Sequence, residues 1–182
     1  DRKLCAAEGV DAIFFPEYSE LYPDAYRYRV SESEVSRLLC GAHRPGHFDG
    51  VLSVVMKLLN LARPQRAYFG EKDWQQLQLV KGMVAAFFMP VTIVGCPTVR
   101  ETDRLALSSR NLRLSKDYRE KAADFPRLLA TPAPADEVAE LLEAGGFEVD
   151  YVKDFNGRRC AAIHCGGVRL IDNLALHDGD AR

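Results

Sequence analysis

Two short stretches hold the residues best equipped for chemistry. The first is Phe69-Gly70-Glu71-Lys72-Asp73-Trp74-Gln75-Gln76 and the second is Leu107-Ser108-Ser109-Arg110-Asn111. In the first, Gly70 and Lys72 stand between an apolar run, Ala67-Tyr68-Phe69, and a segment with Leu77, Val80, Val84 and Phe87 at helical spacing. That order predicts a buried strand, a tight turn and an amphipathic helix. The first N–H groups of a helix are unpaired and carry partial positive charge, so they favour an anion. Lys72 adds a full charge on a long stem. The second stretch offers two hydroxyls and a planar guanidinium, which suit phosphate oxygens. Each has a plainer reading alone: Asp73 as an ordinary N-cap, and Ser-Ser-Arg-Asn as a solvated turn. Together they predict two loops that close on one triphosphate.

The elements that must hold these loops follow from the rest of the chain. Asp1–Glu8 reads as the last turns of a helix ended by Gly9, so the sequence opens part-way through an element. Val10–Phe15, ended by Pro16, predicts a buried parallel strand. Tyr26–Val30 alternates and predicts a half-exposed strand; Ser31-x-x-Glu34 predicts a capping box that opens a helix through Leu39. Cys40–Gly50 reads as a loop, and Val51–Ala62 as an apolar helix stopped before Pro64. A helix over Asp73–Phe88 and a strand over Val91–Val94 follow. Alternating strands and helices are the grammar of a parallel sheet, whose ligands sit beyond the carboxyl ends of strands. Gly70–Asp73 lies at such an end.

Beyond Cys96-Pro97 the style changes. Ser115 caps a helix to about Asp124, Asp136–Ala144 forms another, and Gly145-Gly146 closes it. Phe147–Val152, Arg158–His164 and Val168–Ile171 read as antiparallel strands, the first two joined by a hairpin at Asn156-Gly157. The expected fold class is α/β: a Rossmann-like parallel sheet over residues 1–97, with a small α+β domain containing an antiparallel sheet over residues 98–182.

The 182 residues carry a net charge of −2, unevenly spread: residues 43–115, which contain both loops, hold ten basic and five acidic side chains. The basic residues are not clustered with aromatics, so a compact anionic metabolite fits better than nucleic acid. No apolar run approaches a membrane span and no signal peptide is evident, which points to the cytoplasm. The five cysteines, an odd number without a Cys-x-x-Cys pair, fit free thiols in a reducing compartment. Cys40, His43 and His47 do not have the spacing of a common zinc site, and no metal-binding residues are assigned.

The chain resembles the pantothenate synthetase (pantoate–β-alanine ligase) family. The resemblance is carried by Arg44-Pro45-Gly46-His47-Phe48-Asp49-Gly50-Val51, by Tyr68–Asp73 with Gln76, by Pro97-Thr98-Val99-Arg100-Glu101, by Leu105–Asn111 and by Gly167–Asn173. It implies a nucleotidyltransferase-type parallel sheet, a homodimer formed through that sheet's domain, and a two-step reaction. Pantoate attacks the α-phosphorus of MgATP to give pantoyl adenylate, and β-alanine then displaces AMP. The resemblance assigns Lys72 to the α-phosphate, and Ser108, Ser109 and Arg110 to the β- and γ-phosphates. Backbone at Val99 and Leu107 would meet adenine, and Gly70 and Asp73 the ribose, within an ATP-binding set that also includes Glu71. Gln76 would bind pantoate, with Arg44 and His47 near the pocket mouth.

Three departures from the family pattern stand out. The family's N-terminal His-x-Gly-His-type motif and its early pantoate-binding glutamine would fall before Asp1. A 182-residue chain is therefore expected to turn over more slowly than one carrying that motif. Position 104, usually glycine, is Arg104, and residues 125–157 are compressed, with Phe125-Pro126 and Lys153-Asp154 reading like joins. Two alternatives remain at this point: another nucleotidyltransferase, or an inert fragment that binds nucleotide or dimerises.

Overall fold

The computed structural model describes residues 2–176; His177, to which the sequence assigns no role, lies outside them. The elements in chain order begin with two short helices, α1 (Arg2–Ala7) and α2 (Tyr18–Leu21). Next come α3 (Cys40–His43), α4 (His47–Ala62), β1 (Arg66–Gly70), α5 (Trp74–Ala86) and β2 (Thr92–Cys96). The second half holds α6 (Lys116–Ala122), α7 (Asp124–Leu129), α8 (Ala135–Ala144), β3 (Glu148–Phe155), β4 (Arg158–Cys165) and β5 (Val168–Ala175). β1 and β2 pair in parallel, from Arg66 opposite Thr92 to Gly70 opposite Cys96. β3, β4 and β5 form a separate antiparallel sheet in that order. The chain is thus α/β, as its pattern predicts.

Two apolar clusters hold it together. Phe48, Leu52 and Leu59 of α4 pack with Leu79, Met83 and Val84 of α5. Phe125, Leu129, Val138, Leu142, Phe147, Ile163 and Leu170 form the second cluster between the antiparallel sheet and its helices. Tyr151 of β3 and Ile171 of β5 pack against the first cluster, so the antiparallel sheet covers both.

The N-terminal expectations fail segment by segment: neither Val10–Phe15 nor Tyr26–Val30 pairs with β1 or β2. Val10–Phe15 is unpaired, with Phe14 59 % and Phe15 67 % exposed. Tyr26–Val30 is not a strand either, because Ala25 and Tyr26 take positive φ (52° and 61°) and curl the segment back. Val30 N–H then donates to Ser53 Oγ at 2.9 Å. The helix expected through Leu39 shrinks to a 3-10 turn, Val35–Arg37. Glu32, not Ser31, takes the loose N–H groups of Glu34 and Ser36. β1 is not buried: Arg66, Tyr68 and Gly70 are exposed.

Elsewhere the differences are of extent. α4 begins at His47, four residues before the expected start, because burial of Phe48 outweighs the helix cost of Gly50, about 1 kcal/mol. α5 ends before Phe87, which is 57 % exposed. Ser115 Oγ caps α6 by accepting from Tyr118 N–H at 3.4 Å. Asn156 and Gly157 take φ of 47° and 74°, the left-handed pair that a two-residue hairpin requires. Phe125-Pro126 and Lys153-Asp154 lie inside unbroken elements, α7 and β3.

Candidate active site

β1 ends at Gly70, and Glu71–Asp73 form a 3-10 turn that tightens into α5. This puts Lys72 at the carboxyl end of a parallel strand, where ligands of such sheets gather. Asp73 makes no side-chain cap bond to α5, so the plain N-cap reading of this turn is not what the structure shows. Across from it, Ser108 caps a second 3-10 turn, Ser109–Arg113, and accepts from Arg110 N–H at 3.2 Å.

Lys72, Asp73, Gln76, Ser108, Ser109 and Arg110 all line one cavity of about 240 Å³. Arg44 and His47 line it too. Gly70, Glu71, Val99 and Leu107 do not. Glu71 instead turns its carboxylate to Arg158, 3.2 Å away. Val99 and Leu107 are exposed, and Leu107 N–H donates to Val99 O at 2.9 Å.

The cavity is strongly cationic. Among the described residues Lys72, Arg44 and Arg110 have no carboxylate partner, whereas the fourth cation, Arg169, is paired with Asp150 at 2.7 Å. Of the lining carboxylates, Asp172 is fully buried and taken by a two-pronged bond from Arg100 (2.7 and 2.9 Å). Asp73 alone remains, at an exposed position. Burial, then the positive charges of Arg44, Arg169 and Arg110, push the His47 pKa down, so its imidazole is held neutral. Arg44 Nη1 lies 3.1 Å from His47 Nε2, which as a neutral ring nitrogen can accept that bond.

The arm bearing Ser108–Arg110 is tightly braced. Arg119 bonds Glu101 (2.8 Å) and Asp103 (2.6 Å), and its hydrogen bonds hold both carboxyls below the usual range. Buried Asn111 donates to Glu101 Oε1 at 2.7 Å and to Ala106 O at 3.1 Å. Arg110 Nη1 touches Arg169 O at 3.3 Å.

Several cavity residues escaped the sequence reading. Gln75 is 5 % exposed and ties the 35–40 segment down, donating to Val35 O and Leu38 O (2.7 Å each) and accepting from Cys40 N–H (3.0 Å). Tyr151, Cys160, Arg169, Ile171 and Asn173 form the wall supplied by the antiparallel sheet. Burial pushes the Cys160 thiol up to about 12, which keeps it protonated and unreactive. Cys40 Sγ lies 3.0 Å from Tyr151 Oη and 3.6 Å from both terminal nitrogens of Arg169. Trp74 carries the Arg158 guanidinium 4.9 Å above its ring. The signal for this wall is period two: Arg169, Ile171 and Asn173 must share a face of β5.

The chain was compared with known proteins. The family model for pantoate-beta-alanine ligase matches residues 1–175. A pantothenate synthetase from Bdellovibrio bacteriovorus is 59% identical over 178 residues, covering 97% of this chain and 71% of that protein. One from Legionella pneumophila is 49% identical over 176 residues, covering 97% and 70%. Among solved structures, a pantoate-beta-alanine ligase from Francisella tularensis complexed with beta-gamma ATP and beta-alanine superposes with a TM-score of 0.89. It is 37% identical, over 96% of this chain and 68% of that one. Pantothenate synthetase from Thermus thermophilus gives 0.84 at 43% identity, over 96% and 73%. The resemblance carried by the five sequence stretches therefore holds along the chain, and with it the assignment as a ligase of pantothenate biosynthesis. This chain belongs to the pantoate–β-alanine ligase family.

Proposed function

We propose that the protein joins pantoate to β-alanine at the expense of ATP, through a pantoyl-adenylate intermediate. The observation that carries this is the cavity between Lys72 and Ser108–Arg110, in which three cations lack carboxylate partners. Unpaired cations in a half-enclosed cleft repel one another and become favourable when a polyanion enters. ATP meets that need, and the Francisella relative was solved with an ATP species.

A carboxylate resists attack by an amine because its leaving group would be oxide. Adenylation changes that. A pantoate carboxylate oxygen bonds to the α-phosphorus and the bond to pyrophosphate breaks. The β-alanine amine then bonds to the acyl carbon, the bond to AMP breaks, and the amine loses a proton. Lys72 steadies the α-phosphate as it becomes five-coordinate. Ser108, Ser109 and Arg110 hold the departing pyrophosphate. Ser108 Oγ already accepts from Arg110 N–H, so its own O–H remains for a phosphate oxygen.

The Gln76 side chain has no hydrogen-bond partner among the described residues and lines the cavity, which leaves its amide for pantoate. Asp73, uncommitted at the helix start, takes ribose hydroxyls together with backbone at Gly70. Leu107 N–H is used by Val99 O, but the reciprocal bond is not formed. The Val99 N–H and Leu107 carbonyl thus remain for an adenine edge. Glu71 contributes only through the backbone of the turn. Magnesium enters with the nucleotide as MgATP. Among the described residues no group of three or more His, Cys, Asp and Glu could cage it, which suits an ion carried on phosphate oxygens and water. Among the described residues no helix is long and apolar enough to cross a membrane. We place the reaction in the cytoplasm and the enzyme as a homodimer, with residues 1–97 and 98–182 as its two domains.

Exchange of labelled pyrophosphate into ATP tests this. It should require pantoate, proceed without β-alanine, and fall about a hundredfold or more in Lys72→Ala. Exchange that ignores pantoate, or that needs a phosphorylated acceptor, would move the protein to another nucleotidyltransferase chemistry.

A further inference from the structure

Period-two alternation puts Arg158 and Cys160 of β4 on the same face as Arg169, Ile171 and Asn173 of β5, since Cys160 is opposite Asn173. That face looks onto the turn that carries Lys72. Asn173 is 1 % exposed, and its amide Nδ2 donates to the carbonyl oxygens of both Glu71 and Lys72, at 2.9 Å each. Its Oδ1 accepts from Arg158 Nε, which fixes which way the amide faces. Arg158 in turn bonds Glu71 Oε2 at 3.2 Å and lies over the Trp74 ring. The turn is therefore gripped by main chain, by the Glu71 carboxylate and by the neighbouring indole, all from one face of the antiparallel sheet.

We propose that Asn173, oriented by Arg158, is a positioning residue that sets Lys72 against the phosphates. This rests on the reading of Lys72 given above. A lysine stem has four rotatable bonds, so its ammonium is placed only if its backbone is placed. The carbonyls of Glu71 and Lys72 lie in a 3-10 turn rather than a regular helix, and Asn173 supplies each with a donor. Docking of the antiparallel sheet and placement of the lysine are then one event. The arm bearing Arg110 is tied to the same strand, through Arg110 to Arg169 O and through Arg100 to Asp172. β5 thus carries the registers of both phosphate-binding groups. A ligand-bound enzyme has Lys72 and Arg110 at a fixed separation because one strand holds both.

Asn173→Asp tests the proposal: it keeps the side chain's shape and the Arg158 partner, removes the two donors and turns a carboxylate oxygen towards the two carbonyls in their place. Pantoate-dependent exchange should drop about tenfold or more in kcat, with the KM for pantoate within about twofold of wild type. The affinity for MgATP, measured by calorimetry, should weaken in Asn173→Asp. Both penalties should largely vanish when the substitution is made in Lys72→Ala, because there is no ammonium left to place. Emission from Trp74, the chain's single tryptophan, should shift in Arg158→Gln, and that variant should show the same kcat loss to a smaller degree. If Asn173→Asp does not fold, Arg158→Gln carries the same comparison. Wild-type kcat and MgATP affinity in Asn173→Asp, or equal penalties with and without Lys72, would overturn the positioning role. Should Lys72→Ala itself bind and exchange normally, the phosphate reading falls instead, and the two failures are told apart.

Discussion

Arg104 sits at φ +70°, where a Cβ crowds the backbone and glycine does not. A glycine fits that geometry directly. Arg104→Gly should therefore stabilise the fold by about 0.5–1 kcal/mol, seen as a higher urea midpoint at unchanged slope. A lower midpoint would mean that the arginine side chain contributes more than its backbone costs. His47 gives a second prediction at this scale. Its folded pKa lies below the unfolded value of about 6.5, so the unfolded chain binds more protons near that pH. Its contribution to stability is complete above about 6.5 and is lost as pH falls from there towards the lowered folded value. Urea melts at pH 7.5 and 5.5 should show wild type losing more stability over this interval than His47→Gln. Equal losses would show that the imidazole titrates in the folded protein as it does in water.

The elements that frame the cavity depend on close approaches. A Cβ on Gly41 would overlap the Ser36 backbone carbonyl, so Gly41→Ala must push the 35–43 wall away from Gln75. It should cost about 2 kcal/mol or more and weaken MgATP binding as well, readable in one thermal melt with and without nucleotide. An unchanged melting temperature would show that this wall moves freely. At this scale the sequence was partly readable. Lys72, Ser108, Ser109 and Arg110 stand out because a strand–turn–helix junction and a hydroxyl–guanidinium run together suit a polyphosphate, whereas Asp73 and Gln76 receive roles only through the family resemblance. Gln75 does not stand out, because helical spacing shows that it and Gln76 point differently but not which direction is inward. Asn173 and Arg169 lie within a strand that carries the resemblance, which assigns them no role. Alternation shows which residues share a face, while only the packing of Tyr151 and Ile171 on the first cluster shows what that face meets. The Val10–Phe15 strand expectation fails for a related reason. Apolar composition predicts a strand, but a strand exists only beside another one.

At the scale of the whole molecule the packing of Tyr151 and Ile171 on the first cluster couples the two sheets into one unit. Phe125 is fully buried in the second cluster, whereas Trp74 opens α5, whose Leu79, Met83 and Val84 belong to the first. Phe125→Ala should cost about 3–5 kcal/mol and shift the Trp74 fluorescence transition together with the far-UV circular dichroism. Separate transitions would mean that the antiparallel sheet docks without sharing stability, and the grip of β5 on Lys72 would lose its force. The cavity between these sheets is lined by an ammonium from a strand–helix turn and a guanidinium from a braced arm, which in the proposed function close around a polyanion. A crystal structure with a non-hydrolysable ATP analogue and pantoate tests that arrangement most directly. The α-phosphate should lie within hydrogen-bond reach of Lys72 Nζ, and the β- and γ-phosphates against Ser108, Ser109 and Arg110. Phosphates bound elsewhere, with Lys72 and Arg110 still facing an empty cleft, would contradict it.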